Sequence, residues 1–229
     1  MHCSHYVVGA VLASALAVGG GIGRAQATQI SIGLATNGGA VTTVATDTAT
    51  PGNAGVIGIG FGGYQVNNIS ATATPLLTSP NMDTSALDVS GGTSNVLDVF
   101  ITESGLTSPS SAFNAFSSLT SNVLTSGWTV ELAFYIDPAD GIYSTPAAGV
   151  IDSNTFSAIG TQTSTSSISG GAGPYSITAE YVITPNGSLG ASNATADLTN
   201  VPEPATFALL GIAAVGATVL RRNRQARSV

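Results

Sequence analysis

From Trp128 to Asp137 every second residue is large and apolar. Trp128, Val130, Leu132, Phe134 and Ile136 fall on one side, and Thr129, Glu131, Ala133, Tyr135 and Asp137 on the other. Successive side chains of a β-strand point to opposite faces, so this period of two predicts a strand with one face in a core and disfavours a helix. Tyr175 to Thr184 repeats the design, with Tyr175, Ile177, Ala179, Tyr181 and Ile183 on one face. Leu97, Val99 and Ile101 alternate with Asp98, Phe100 and Thr102. Weaker runs of the same kind are Gln29 to Leu34, Val41 to Thr46, Gly55 to Gly62, Tyr64 to Thr74, Ala86 to Val89, Thr155 to Gly160 and Ser188 to Leu198.

Turn signals separate these runs: Asn37-Gly38-Gly39, Pro51-Gly52-Asn53, Gly91-Gly92, Asp140-Gly141, Gly170-Gly171 and Asn186-Gly187. Thr184-Pro185-Asn186-Gly187-Ser188 reads as a hairpin turn. About eight to ten short strands at this spacing predict an all-β chain folded as a single antiparallel β-sandwich. One or two helical turns are expected between Ser110 and Leu119, where Phe113, Phe116 and Leu119 sit three apart. Thr161 to Ser169, and part of Thr42 to Pro51, read as Ser/Thr-rich loops.

The charges are segregated. Arg24 and Arg221, Arg222, Arg224 and Arg227 are all the basic residues, and His2, His5 and Cys3 all lie in the first five positions. Residues 28–200 hold no Lys, Arg, His or Cys and eleven carboxylates, for a formal charge of -11. Nucleic acid and anionic lipid are held mainly through Lys and Arg, so no nucleic-acid partner is expected. Without cysteine a disulfide framework is excluded, and the stretch is long enough for one domain with a real core.

Both ends read as targeting segments. An apolar run from Tyr6 to Val18 leads to Ala25-Gln26-Ala27, a small-x-small cleavage pattern, so residues 1–27 are expected to be a signal peptide taken up by the Sec export machinery. Its n-region carries His2 and His5 instead of Lys or Arg. At the other end Pro202-Glu203-Pro204 precedes an apolar run that continues to Leu220 and meets Arg221-Arg222-Asn223-Arg224. A helix over 206–220 would rise about 22 Å, short of the ~30 Å hydrocarbon core. The arginines of 221–229 mark that side as cytoplasmic and place residues 28–200 outside.

The order Val201-Pro202-Glu203-Pro204-Ala205, a short apolar helix and an Arg-Arg cluster resembles the PEP-CTERM sorting signal of exosortase substrates. The resemblance covers residues 201–229. In that family a membrane-embedded cysteine-type transpeptidase, the exosortase, reads the tripeptide and the tail is removed. Carried over, Pro202, Glu203 and Pro204 are the recognition residues, the apolar helix halts in the membrane, and Arg221, Arg222 and Arg224 supply the stop-transfer charge. The prolines hold the strip extended and keep the helix from continuing upward. The resemblance also implies a final location at the cell surface or in an extracellular matrix, in a setting of exopolysaccharide and biofilm.

Little catalytic chemistry is open to residues 28–200. Ser/His/Asp and Cys/His nucleophilic sets need residues that are absent there, and no cofactor is expected. A carboxylate pair suffices for glycoside hydrolysis, with Glu103 and Glu131 as candidates, each expected on or beside the polar side of a strand. Asp137 and Asp140, with Asp152 further on, are calcium candidates, although the D-x-D-x-D-G spacing of a calcium loop is missing. Gly58-Ile59-Gly60-Phe61-Gly62-Gly63 satisfies G-x-G-x-x-G, but no helix pattern comes after it, and a glycine-rich strand corner is the expectation. The sequons at Asn68, Asn186 and Asn193 are near chance in so Ser/Thr-rich a chain. The expectation is a non-catalytic surface protein. A binding module for carbohydrate or protein is the alternative, which a cluster of exposed aromatics drawn from Tyr64, Tyr135, Tyr143 and Tyr175 would favour.

Overall fold

The computed structural model describes residues 29–48, 52–73, 81–92, 94–107, 109, 111–169, 171 and 173–201. The expected signal segment with Ala25 and Ala27 lies outside these residues. So do Pro202, Glu203 and Pro204, the helix over 206–220, and Arg221, Arg222 and Arg224. Among the described residues no helix is long and apolar enough to cross a membrane.

Among the described residues twelve strands form two six-stranded antiparallel sheets. They are β1 (Gln29–Thr36), β2 (Thr42–Asp47), β3 (Gly52–Phe61), β4 (Tyr64–Ala73), β5 (Asn81–Gly91) and β6 (Leu97–Leu106), followed by β7 (Phe113–Leu124), β8 (Thr129–Asp137), β9 (Val150–Phe156), β10 (Gly160–Ile168), β11 (Tyr175–Thr184) and β12 (Gly190–Val201). The first sheet runs β2-β1-β6-β11-β8-β9 and the second β10-β7-β12-β5-β4-β3. Inward side chains of both sheets join in one hydrophobic core.

The period-two faces assign themselves as the sequence predicts. Trp128, Val130, Leu132 and Phe134 are wholly buried, as are Tyr175, Ile177, Ala179, Tyr181 and Ile183. Burying each large apolar side chain is worth about 1.5–3 kcal/mol, which is why the alternation dictates the register. Trp128 keeps its polar tip satisfied: its Nε1 donates to the Ser188 carbonyl at 3.2 Å, and its ring meets Tyr64 edge-on at 6.1 Å.

Turn chemistry at Asn37-Gly38 is as expected, and the expected glycine-rich corner at the end of β3 is a hairpin turn. Asn37 and Gly38 both take positive φ between β1 and β2, and Gly62 and Gly63 do so between β3 and β4. At Gly62-Gly63, where Phe61 pairs with Tyr64, a two-residue hairpin turn needs this at both central residues, which Gly-Gly supplies; Asn37 and Gly38 begin the longer 37–41 loop. The G-x-G-x-x-G stretch is therefore the end of β3 and its hairpin, with no helix after it.

Four expectations are corrected. Residues 113–124 form β7, not helical turns, because Phe113, Ala115, Ser117, Leu119 and Ser121 also have period two and all face inward between β10 and β12. Pairing on both edges overrides the three-residue spacing. Thr161 to Ser169 is not a loop; β10 is an edge strand whose Thr side chains suit a pleated surface. The strand expected at Thr155 to Gly160 lies earlier, at β9, and residues 157–159 are its turn. Thr184 to Ser188 is a turn but joins no hairpin: β11 pairs with β6 and β8, whereas β12 pairs with β5 and β7 in the other sheet.

Candidate functional site

The registers set which loops share an end. Gln29 pairs with Ser104, Tyr175 with Leu106, and Ser176 with Asp137 in the first sheet; Val201 pairs with Asn114 and Thr199 with Asn81 in the second. The start of β1 and the finish of β12 therefore lie at one end of the sandwich, together with the β6–β7 and β10–β11 connections. The opposite end carries the 37–41, 62–63, 92–96, 125–128, 157–159 and 185–189 loops. β12 stays paired with β7 to its last residue, Asn200 opposite Ala115 and Val201 opposite Asn114. Pro202 is the next residue, so no spacer lies between the sheet and the Pro-Glu-Pro strip.

Glu103 and Glu131 are not brought together. Glu131 is half-exposed on the outer face of β8, with Ser153 Oγ donating to it at 3.4 Å. Glu103 shares its parity with Leu97, Val99 and Ile101 and is wholly buried, opposite Ile30 on β1 and Ile177 on β11. The expectation that both lie on or beside a solvated face is corrected for Glu103. The two carboxylates point to opposite sides of one sheet, which is incompatible with flanking a glycosidic bond. Neither Glu103 oxygen has a hydrogen-bond partner among the described residues, and burial pushes its carboxyl up from 4.5 to about 8. Extending the Leu97-Val99-Ile101 alternation by one step reveals this inward phase in the sequence.

Asp137 and Asp140 organise a turn. Asp137 accepts from the backbone N–H groups of Ala139 (2.8 Å) and Gly141 (3.2 Å), and Asp140 from Gly105 at 2.7 Å. A hydrogen bond from Ser144, joined by those from the two backbone amides, holds the Asp137 carboxyl below the usual carboxylate range. Asp152 lies elsewhere, on the inner face, accepting from Ser117 Oγ at 2.5 Å and Gln162 Nε2 at 3.3 Å. Among the described residues no three carboxylate, His or Cys groups converge as a metal cage would require.

The segment after Asp137 then folds back across the outer face of the first sheet, a feature with no periodic signal in the sequence. Tyr143, at φ 60°, donates its N–H to Thr102 Oγ1 at 3.0 Å and its hydroxyl to Thr43 Oγ1 at 3.0 Å, and its ring leans on Phe100 at 6.1 Å. Gly33 makes room for that ring: a Cβ there would come within 2.8 Å of it. Tyr64 and Tyr175 are buried in the core, so the four tyrosines do not form an exposed aromatic platform.

The PEP-CTERM protein-sorting motif matches residues 200–225. The chain carries that motif, and the match begins at Asn200, inside the last paired residues of β12. No curated protein matches. Among solved structures the chain is similar to the adhesin domain of Epf from Streptococcus pyogenes, with 12% identity, a TM-score of 0.34, and 76% of this chain and 60% of that one covered. It is also similar to the VP2 subviral particle of infectious bursal disease virus, with 9% identity, a TM-score of 0.32, and 78% and 54% covered. The chain thus spans less than two thirds of the length of either.

Proposed function

We infer that this chain, which carries a PEP-CTERM protein-sorting motif, is exported and handed to an exosortase that reads Pro202, Glu203 and Pro204 and removes the tail beyond them. The match over residues 200–225 carries this reading. The mature product is a non-catalytic protein of the cell surface or extracellular matrix, associated with exopolysaccharide. Three features support the non-catalytic part. Residues 28–200 offer carboxylates with no His, Cys, Lys or Arg beside them. The carboxylate pair considered for hydrolysis, Glu103 and Glu131, is split across a sheet. The acids of the 137–140 turn are occupied by backbone N–H groups.

The apolar stretch of 206–220 is short for a permanent span, so retention at the membrane is transient and ends with processing. Replacing Pro202-Glu203-Pro204 with Ala-Ala-Ala in the native host should accumulate an unprocessed, membrane-held form on immunoblots of fractionated cells. Unchanged processing of that variant would remove the basis for exosortase sorting.

A further inference from the structure

The sandwich is tethered from one end only. Gln29 stands two residues beyond the expected cleavage site at Ala27, and Val201 stands immediately before the sorting strip. Both lie at the same end, although they belong to different sheets. Every membrane-directed segment expected in this chain therefore leaves the domain there, before signal cleavage as well as after it. Only Pro202 to Ala205 separates Val201 from Thr206, the first residue of the apolar stretch. Fully extended, those steps span at most about 18 Å. The headgroup layer takes up about 5–7 Å of that, and the remainder is less than the height of the domain: the twelve residues of β12 alone run about 40 Å.

Charge adds to the short tether by keeping the domain off its two faces, while Asp137 and Asp140 at the exit end have carboxylates that accept backbone N–H groups. The outer face of the first sheet presents Glu131 and Glu180, and that of the second presents Asp83, Asp88 and Asp197, with no basic residue between 28 and 200. Laying either face on an anionic bilayer sets like charge against like within a Debye length of about 8 Å.

From the shared exit end, the short tether and the acidic flanks we propose that the membrane-held protein stands upright. The end bearing Gln29, Ala112 and Val201 is apposed to the bilayer, and the opposite loops, with exposed Ile159 and Leu189, are presented outward. This orientation rests on the reading of 206–220 as membrane-seated. It goes beyond that reading by assigning the two ends opposite roles: the near rim faces the membrane and the enzyme in it, and the far loops are what a surface partner meets.

The test uses the chain from residue 28 to 229, which contains no cysteine. Single replacements Ala112→Cys at the near end and Ile159→Cys and Leu189→Cys at the far end receive an environment-sensitive fluorophore. Each protein is reconstituted in phosphatidylethanolamine/phosphatidylglycerol vesicles containing a headgroup spin-labelled lipid. Quenching at position 112 should exceed that at 159 and 189 several-fold. A long Gly/Ser insert after Val201 should erase the contrast, since a flexible linker frees the orientation. Equal quenching at both ends without the insert overturns the upright orientation while leaving the sorting reading intact. Failure of the protein to float with the vesicles overturns the membrane-seated tail and the orientation with it.

Discussion

Glu103 is the residue whose chemistry departs furthest from its surroundings. A carboxyl wholly buried among Ile101, Ile30 and Ile177 is tolerable only as the neutral acid, since a buried unpaired charge is costly. Its folded value of about 8 lies above its ordinary 4.5, so the native state holds the proton more tightly than the unfolded chain. The associated stability is present below about 4.5 and is lost as pH rises toward 8, amounting to about 5 kcal/mol at the alkaline limit. Asp197, facing Asp83 across β12 and β5, acts in the same direction: burial and the Asp83 carboxyl push it up to about 6. Glu103→Gln should therefore raise the urea midpoint at pH 8 and flatten the decline of stability between pH 5 and 8. A variant that keeps the wild-type pH slope would show that Glu103 is not its source. In the core proper, Phe134→Ala removes a wholly buried ring and should cost about 3–5 kcal/mol in the same measurement.

Among the elements, the hairpins depend on backbone freedom at a few glycines. Gly62 sits at φ 60° in the β3–β4 turn, and a Cβ there would lie 2.2 Å from Thr36 Cγ2. Gly62→Ala should lose about 1–2 kcal/mol from the left-handed conformation alone, read as a lower thermal midpoint, with the Thr36 contact adding to it. If the G-x-G-x-x-G stretch instead bound a nucleotide, the same change would leave stability alone and abolish binding. β12 matters in another way. It lies between β7 and β5, so it closes the second sheet as well as delivering the sorting strip. A chain truncated after Leu189 should fail to give a cooperative unfolding transition, whereas one ending at Val201 should keep it. Equal transitions for both would mean that β12 is dispensable to the sheet.

For the whole molecule, stability comes from one core between two sheets, with no disulfide to help and no converging ligand cage among the described residues. The fragment 28–201 should therefore keep its melting temperature when a strong calcium chelator is added. A drop of many degrees would put an ion back at the Asp137 and Asp140 turn. The strands named from alternation stand largely in place because burial of one face enforces a period of two regardless of partner. β7 and β10 escape that signal for the complementary reason. Many of their inward positions are small or polar, Ala115, Ser117, Gln162 and Ser164 among them, so their strand character comes largely from neighbours on both sides or from an edge position.

The amino-acid sequence by itself determined the all-β class, the inward faces of β8 and β11, the turn at Asn37-Gly38, the purely acidic middle, and the sorting motif. Each of these is local or compositional, a matter of side-chain parity, permitted φ or residue inventory. Tertiary structure alone decided which strand neighbours which, that Thr184 to Ser188 crosses between sheets, that Tyr143 lies over Gly33 and Phe100, and that Gln29 and Val201 leave from one end. Those are long-range pairings. Turn residues specify that the chain reverses but not which edge it meets next, and that choice is settled by burying all the inward faces in one core.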